Sequence, residues 1–538
     1  MPWWKRPAPV LLLLWLLATG LNWGKAFHID DSFHLFAAQW VSQHPLQPLS
    51  GLVNWADDMK PMHHFNQPPG FFYLVASTGK LLGWSEWAMH ALVAAFTGLA
   101  LIEFRRLAGA YVPDAANGLL VLFACCPAFL VNQNVMADIP LLALHLLAFR
   151  LVLLPGRSPQ TMRVVLAALF LSVAVLIKYA TLPLLLVFPL VLILQRRWRA
   201  LPVALLPLGV LLAWGVWNRM EFGYVHLLDR DPGDPSPRGL YVRVLSLLVC
   251  TGAMAPFTPA LVRSVWSGSG PWIQRAWWTL LALFMVLAAA VWFRWVPETA
   301  SDQALRITFL LNGLLFLGLA TVQVWQAGRK KDRGAVPLVL WAGASLLFIA
   351  LFAPGMASRY LLPAWPPLLL LLGRAWTLAP RREKGMALAC TAALGLVLSV
   401  SDRRYAEHYR RMAPIVAEAV EGPGRTWATG HWGWQWYAEA QGIRSYAMHA
   451  PPPVPGDVLV IPENMSRQHI NPELRGVKLR EWPGTSAMGD FFNVSGDASM
   501  YSSDYEHLPW RLSRDPYGTI SAWRITTHGR SIASAAGP

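Results

Sequence analysis

Apolar runs of near membrane-spanning length recur through most of this chain, and nothing else in the sequence restricts its fold so strongly. They cover residues 8–22, 86–104, 115–131, 138–154, 164–177, 180–194, 201–217, 240–262, 276–293, 308–326, 335–353, 361–379 and 386–400. Short polar connectors separate them, the pattern of a polytopic α-helical membrane protein with about thirteen transmembrane helices. Of the 538 residues, 55% are hydrophobic and 14% charged, against roughly 25% charged in a soluble domain. A water-soluble globule could not hide that much apolar surface.

The net charge of +15 follows the same organisation. Basic residues gather in alternate short loops, as in Arg105 and Arg106, "QRRWR" with Arg196, Arg197 and Arg199, and the run from Arg329 to Arg333. With the N-terminus inside, these loops are cytoplasmic, and Asp30, Asp31, Asp57, Asp58, Asp138, Asp229, Asp231 and Asp234 fall on the other face. The basic balance therefore reads as membrane orientation and not as a nucleic-acid partner. The first 22 residues have the basic start and apolar core of a signal peptide, but no small-residue cleavage site follows, so a retained helix is expected. Cys125, Cys126, Cys250 and Cys390 all lie in apolar runs and show no metal-ligand spacing or disulfide framework.

Composition divides the chain. Residues 1–400 read as a membrane domain that includes a long outer loop, 23–85, whose "FFYLVASTGKLLGW" is amphipathic enough to lie in the interface. Residues 401–538 regain charge, glycine and proline, and segments such as "GDVLVIP" read as strands. A soluble extracytoplasmic domain of mixed α/β type is expected there, ending in the loose tail "SIASAAGP".

Several polar residues at the outer membrane edge could carry chemistry. Asp30 and Asp31 open "DDSFHLFAAQW", where one carboxylate could cap a short helix and the other act as a general base. Asp138, in "ADIPLLAL", suits the positive end of an apolar helix, and an ionisable group there is also a functional candidate. Lys178 in "VLIKYATLP" could snorkel to the interface or bind phosphate, and Arg359 beside Tyr360 offers a rigid fork for phosphate oxygens. His28, His34, His63 and His64 with Asp57 and Asp58 could hold a divalent metal ion, but their spacing matches no metal motif and histidines of a solvated loop are the better reading. In "TGHWGWQWYAEAQG", His431, Trp432, Trp434, Trp436 and Tyr437 could form the packed face of a strand or a surface that stacks on an acceptor sugar.

The order of these motifs resembles the bacterial polyprenyl-phosphate-dependent glycosyltransferases of the GT-C class. That is glycosyltransferase family 39, which includes the aminoarabinose lipid A transferase and is related to protein O-mannosyltransferases. The resemblance is carried by the acidic pair Asp30–Asp31, "NQPPGFFY", Asp138 with Pro140, Lys178, and "RYLLPAWPP" beginning at Arg359. It implies an enzyme of the bacterial inner membrane whose site and C-terminal domain face the periplasm. A monosaccharide would pass with inversion from a polyprenyl-phosphate donor to lipid A, lipopolysaccharide, another envelope glycan or a protein. Asp30 would serve as base with Asp31 orienting the acceptor or replacing it, and Lys178, Arg359 and Tyr360 would meet the donor phosphate. One departure stands out: Gln67 precedes the paired prolines where the aminoarabinose transferase has lysine. A lipid transporter or flippase is the alternative class, for which inverted repeats would be the mark, and none is evident.

Overall fold

The computed structural model describes residues 7–65, 67–156, 158–230, 233–265, 272–420, 424–463, 468–484, 500–501, 507–513 and 517–535. Asn66 of the proline motif, Asp231 of the outer acidic set and the last three residues of the tail lie outside them. The chain is a polytopic α-helical protein with a mixed α/β C-terminal region.

The expected number of membrane crossings is corrected. Among the described residues, 6 helices are long and apolar enough to span a bilayer, not thirteen: Glu86–Tyr111, Gln160–Ile177, Trp198–Phe222, Glu298–Arg329, Ala335–Phe352 and Arg381–Ala419. Apolar composition marks a segment that avoids water, and a protein interior serves that purpose as well as lipid does. The Asp138–Leu153 helix is 16 residues long and buried on almost every side. Trp365–Leu378, with 14 residues, is likewise enclosed. Trp198–Phe222 is the opposite case, turning Leu205, Leu212, Val216 and Met220 outward. The loop-by-loop orientation counted every apolar run as one crossing, so it loses its basis with the count.

The segment expected to be outer, residues 23–85, folds against the ends of these helices. It contains the Asp31–Gln43 helix, a hairpin of β1 (Leu52–Asn54) and β2 (Met59–Pro61), and the Gly70–Leu82 helix. Gly70 is required by contact: a Cβ there would stand 2.6 Å from the Leu176 carbonyl oxygen. This close approach draws the proline motif against the end of the helix that precedes Lys178.

The Arg381–Ala419 helix runs without a break through residue 400 and leads into the C-terminal region. Among the described residues, six strands follow: β3 (Thr426–Ala428), β4 (Arg444–Ser445), β5 (Val458–Pro462), β6 (Arg475–Trp482), β7 (Ile520–Ile525) and β8 (Arg530–Ser531). Their order is β4-β3-β5-β7-β6-β8, with β3 parallel to both its neighbours and the remaining pairs antiparallel. The expected "GDVLVIP" strand is the central β5, buried along its whole length. The tryptophan-rich segment is instead a helix, Trp432–Ala440. Trp434, Tyr437 and Ala438 share its buried face at the i, i+3, i+4 spacing of a helix, a period that the alternating tryptophans mask.

Candidate functional site

Four residues far apart in sequence meet at one end of the apolar helices. Arg359 Nη2 donates to Asp30 Oδ2 at 2.9 Å, and its Nε lies 3.7 Å from Asp138 Oδ2. Lys178 Nζ donates to the other oxygen of Asp138 at 2.7 Å. The Tyr360 ring lies beneath both cations, 4.8 Å from Lys178 Nζ and 5.7 Å from the Arg359 guanidinium carbon. The result is an alternating line of charge, Asp30, Arg359, Asp138, Lys178.

Local structure explains each placement. Lys178 is extended and ends the Gln160–Ile177 helix before a single turn of 3-10 helix. Asp138 occupies the first turn of its own helix, where the exposed N–H groups favour an acidic side chain. Arg359 sits on the short Ser358–Leu361 turn, itself pinned by Ser358 N–H donating to the Met500 carbonyl at 3.2 Å. Burial opposes the Arg359 charge, but Asp30 and Asp138 outweigh it and raise its pKa.

Beside this line is a cavity lined by Asp138, Lys178, Tyr360, Tyr179, Gln67 and Arg230. Arg230 is not among the residues that the sequence reading singled out. Its signal is a basic residue set between the acids Asp229 and Asp234, on the face expected to be acidic. The same loop carries His226, which bridges Tyr179 Oη at 2.8 Å and the Phe65 carbonyl at 2.8 Å. Those contacts bring Arg230 and Gln67 to one cavity, and no spacing rule relates them.

The adjacent acids Asp30 and Asp31 differ sharply. Asp30 makes no capping hydrogen bond and its side chain keeps 26% of its exposure, whereas Asp31 is fully buried. Asp31 Oδ2 accepts the His28 backbone N–H at 2.9 Å. Burial pushes its pKa up to about 8, against the lowering effect of that hydrogen bond.

Of the remaining candidates, His34 lies near enough to Asp30, Arg359 and Asp138 to feel their charges, whereas Asp57, Asp58, His63 and His64 make their contacts elsewhere. Asp57 pairs with His469 at 3.0 Å and Asp58 with His449 at 2.6 Å, on the exposed face of the hairpin. Backbone and side-chain contacts from those histidines outweigh what little burial there is and lower both carboxyl pKa values. His63 bonds to Tyr224 and packs on the Phe222 ring, with His64 beside it. His34 is buried with Nδ1 on the Val135 carbonyl, and burial lowers its pKa to about 4. Among the described residues, no three His, Cys, Asp or Glu side chains are grouped to hold a metal ion, Asp57, Asp58, His63 and His64 included.

The residues expected to meet an acceptor lie between the C-terminal region and the 23–85 segment. Trp434 is wholly buried, and His431 is held by Gln435 and the Ala56 carbonyl. Trp432 accepts a hydrogen bond from Ser32 Oγ through its carbonyl at 2.7 Å. These contacts fasten the C-terminal region to the 23–85 segment, with Trp434 enclosed and Trp432 half-buried.

With this architecture established, likeness to known structures is informative. A crystal structure of ArnT from Cupriavidus metallidurans bound to undecaprenyl phosphate aligns over 85% of this chain and 92% of that one, with 12% identity and a TM-score of 0.51. The chain has the GT-C fold. A crystal structure of an oligosaccharyltransferase from Archaeoglobus fulgidus in complex with Zn and sulfate aligns over 81% of this chain and 62% of that one, with 14% identity and a TM-score of 0.47. In sequence, 111 residues are 34% identical to undecaprenyl phosphate-alpha-4-amino-4-deoxy-L-arabinose arabinosyl transferase 2 of Pseudomonas fluorescens. That match takes in 21% of this chain and only 18% of the length of its relative. No family model matches the chain.

Proposed function

We propose that this protein is an inverting glycosyltransferase that moves a monosaccharide from a polyprenyl-phosphate donor to an acceptor of the bacterial cell envelope, on the periplasmic side of the inner membrane. The observation that carries the reading is the charge line Asp30–Arg359–Asp138–Lys178 beside a cavity, in a GT-C fold similar to that of a protein bound to undecaprenyl phosphate. Membership of family 39 and an acceptor among lipid A, lipopolysaccharide, other glycans or protein belong to the same proposal. Residues 1–400 would form the catalytic unit and 401–538 an outer domain braced against it.

Asp30 takes the proton of the acceptor hydroxyl. The acceptor oxygen then bonds to the anomeric carbon from the face opposite the phosphate, and the carbon–oxygen bond to that phosphate breaks. The electron pair leaves with the polyprenyl phosphate, whose charge is met by Lys178 and Arg359. Both cations are now neutralised by carboxylates, so a phosphate entering the cavity exchanges one anionic partner for another and leaves no buried cation unpaired. A phosphate is a good leaving group, so this scheme needs no second carboxyl acting as acid. No step runs through a metal ion.

Mass spectrometry of envelope glycolipids from a deletion strain should show one species lacking a single sugar. Purified protein should then add labelled sugar to the precursor in detergent, with no sealed compartment or gradient. A transporter or flippase forms no product there, and absence of transfer with the missing species' own precursor would overturn the enzymatic reading.

A further inference from the structure

A second charged group is sealed behind the site, and the reaction scheme above does not use it. Lys25 and Asp402 are both 0% exposed and hydrogen-bond directly to each other. Tyr501 Oη donates to Asp402 Oδ2 at 2.8 Å and accepts from Asn134 Nδ2 at 2.7 Å, and Lys25 Nζ reaches the other end of the same Asn134. His28 Nε2 stands 3.5 Å from the second Asp402 oxygen. These groups come from the outer segment, two parts of the helical core and the C-terminal region, so they meet only when all of these are docked.

Both ends of the group touch the residues that place the proposed base. On one side, His28 precedes Ile29, whose φ of +49° is a left-handed conformation that a β-branched side chain resists. That turn is closed by Asp31 N–H donating to the His28 carbonyl at 3.1 Å and His28 N–H donating to Asp31 Oδ2 at 2.9 Å, and it delivers Asp30 to Arg359. On the other side, the Tyr501 ring centre is 5.8 Å from the Arg359 guanidinium, and the carbonyl of its neighbour Met500 accepts from Ser358 N–H. A strained backbone persists only where its surroundings over-determine it.

We infer that Lys25, Asp402 and Tyr501 are positioning residues that hold the Ile29 turn and the Arg359 side chain so that Asp30 and Arg359 meet in one geometry. A buried ion pair is a costly way to gain stability, since well-packed apolar side chains of similar size often serve equally well. What such a pair supplies and apolar packing does not is direction, because each hydrogen bond fixes an angle as well as a distance. The inference rests on the reading of Asp30 as the base.

The test uses the full-length protein in detergent and the paired variant Lys25→Met with Asp402→Leu, which removes both charges together. Labelled lipid extract of the deletion strain supplies donor and acceptor, and undecaprenyl phosphate serves as the binding probe. Expected is a folded protein whose turnover at saturating extract falls on the order of tenfold to a hundredfold, the scale of a misplaced catalytic group. Its half-saturating extract concentration and its affinity for undecaprenyl phosphate should change by less than turnover does, because Lys178 keeps its place while Arg359 shifts. Parental turnover in a folded paired variant overturns the inference, and so does loss of undecaprenyl phosphate binding in step with turnover. If the paired variant does not fold, Tyr501→Phe decides: slower turnover at an unchanged melting temperature supports positioning, and unchanged turnover refutes it. Asp30→Asn is measured alongside. Full turnover there breaks the reading of the base itself, whereas an inactive Asp30→Asn beside a fully active paired variant breaks only the positioning role.

Discussion

Two charged clusters lie close together in this molecule and differ in their access to water. Asp30, Arg359, Asp138 and Lys178 lie beside a cavity, Arg359 and Asp138 buried and Asp30 and Lys178 keeping 26% and 15% of their side-chain exposure. Lys25, Asp402, His28 and Asp31 are sealed. Opposite charges pair within both, so pairing alone does not mark a site. What separates them is whether a ligand can take over a partner: a phosphate can replace a carboxylate beside Lys178, while nothing can reach Lys25 without unfolding its surroundings. The boundary between the clusters falls between the adjacent residues Asp30 and Asp31.

The sharpest way to break this comparison is to exchange the roles of those two acids. Asp30→Asn should lower turnover by about 10²–10⁴-fold, the usual value of a positioned general base. Asp31→Asn should leave most turnover, since its carboxyl faces the interior. Comparable losses from both, in folded proteins, would remove the distinction.

The two lysines offer the next contrast. Lys25→Met strands the Asp402 carboxylate in a dry interior, and it should destabilise the protein by about 3–5 kcal/mol, read as a lower melting temperature in detergent. Lys178→Met leaves Asp138 near the cavity with Arg359 still beside it, so the loss of stability should be much smaller. Its expected effect is instead on undecaprenyl phosphate affinity, weakened about tenfold or more through loss of a charged hydrogen bond. Equal melting temperatures for the two variants would show that the sealed cluster is not sealed.

Acidity gives a gentler test. Asp31 has a folded pKa of about 8 against an ordinary 3.8, so the folded protein binds a proton that the unfolded chain has released between those values. Its contribution to stability is therefore full below about pH 4, declines as pH rises, and is gone above about 8. Asp31→Asn should flatten the fall in melting temperature between pH 5 and pH 8. An identical pH profile in parent and variant would place the Asp31 carboxyl in water.

The smallest effect is expected farthest from both clusters. Asp58→Asn removes an exposed pairing with His449, which water and salt already weaken, so turnover and melting temperature should hardly move. A marked loss of turnover would draw the hairpin into the site.

Much of this was legible in the chain itself. The acidic pair, Asp138, Lys178 and Arg359 stand out because charge is rare beside long apolar runs, and the structure places Asp30, Asp138, Lys178 and Arg359 within one network. The partners Arg230, Lys25, Asp402 and Tyr501 were not singled out, because each looks like an ordinary loop or helix residue until packing supplies its neighbour. The tryptophan segment was read at the wrong period, since alternation in three tryptophans outweighed the helical spacing of Trp434, Tyr437 and Ala438.

By itself the sequence determined that this chain avoids water along most of its length, that its charge gathers at helix ends, and that its last part folds differently from the rest. Those are local properties, set by composition and spacing. Only the tertiary structure decided which apolar helices face the surroundings and which are enclosed by protein, because hydropathy is the same for both. It also decided that Asp30 is open and Asp31 closed. Neighbouring residues share a sequence position but not a direction, and burial is a property of what the rest of the chain brings to each side.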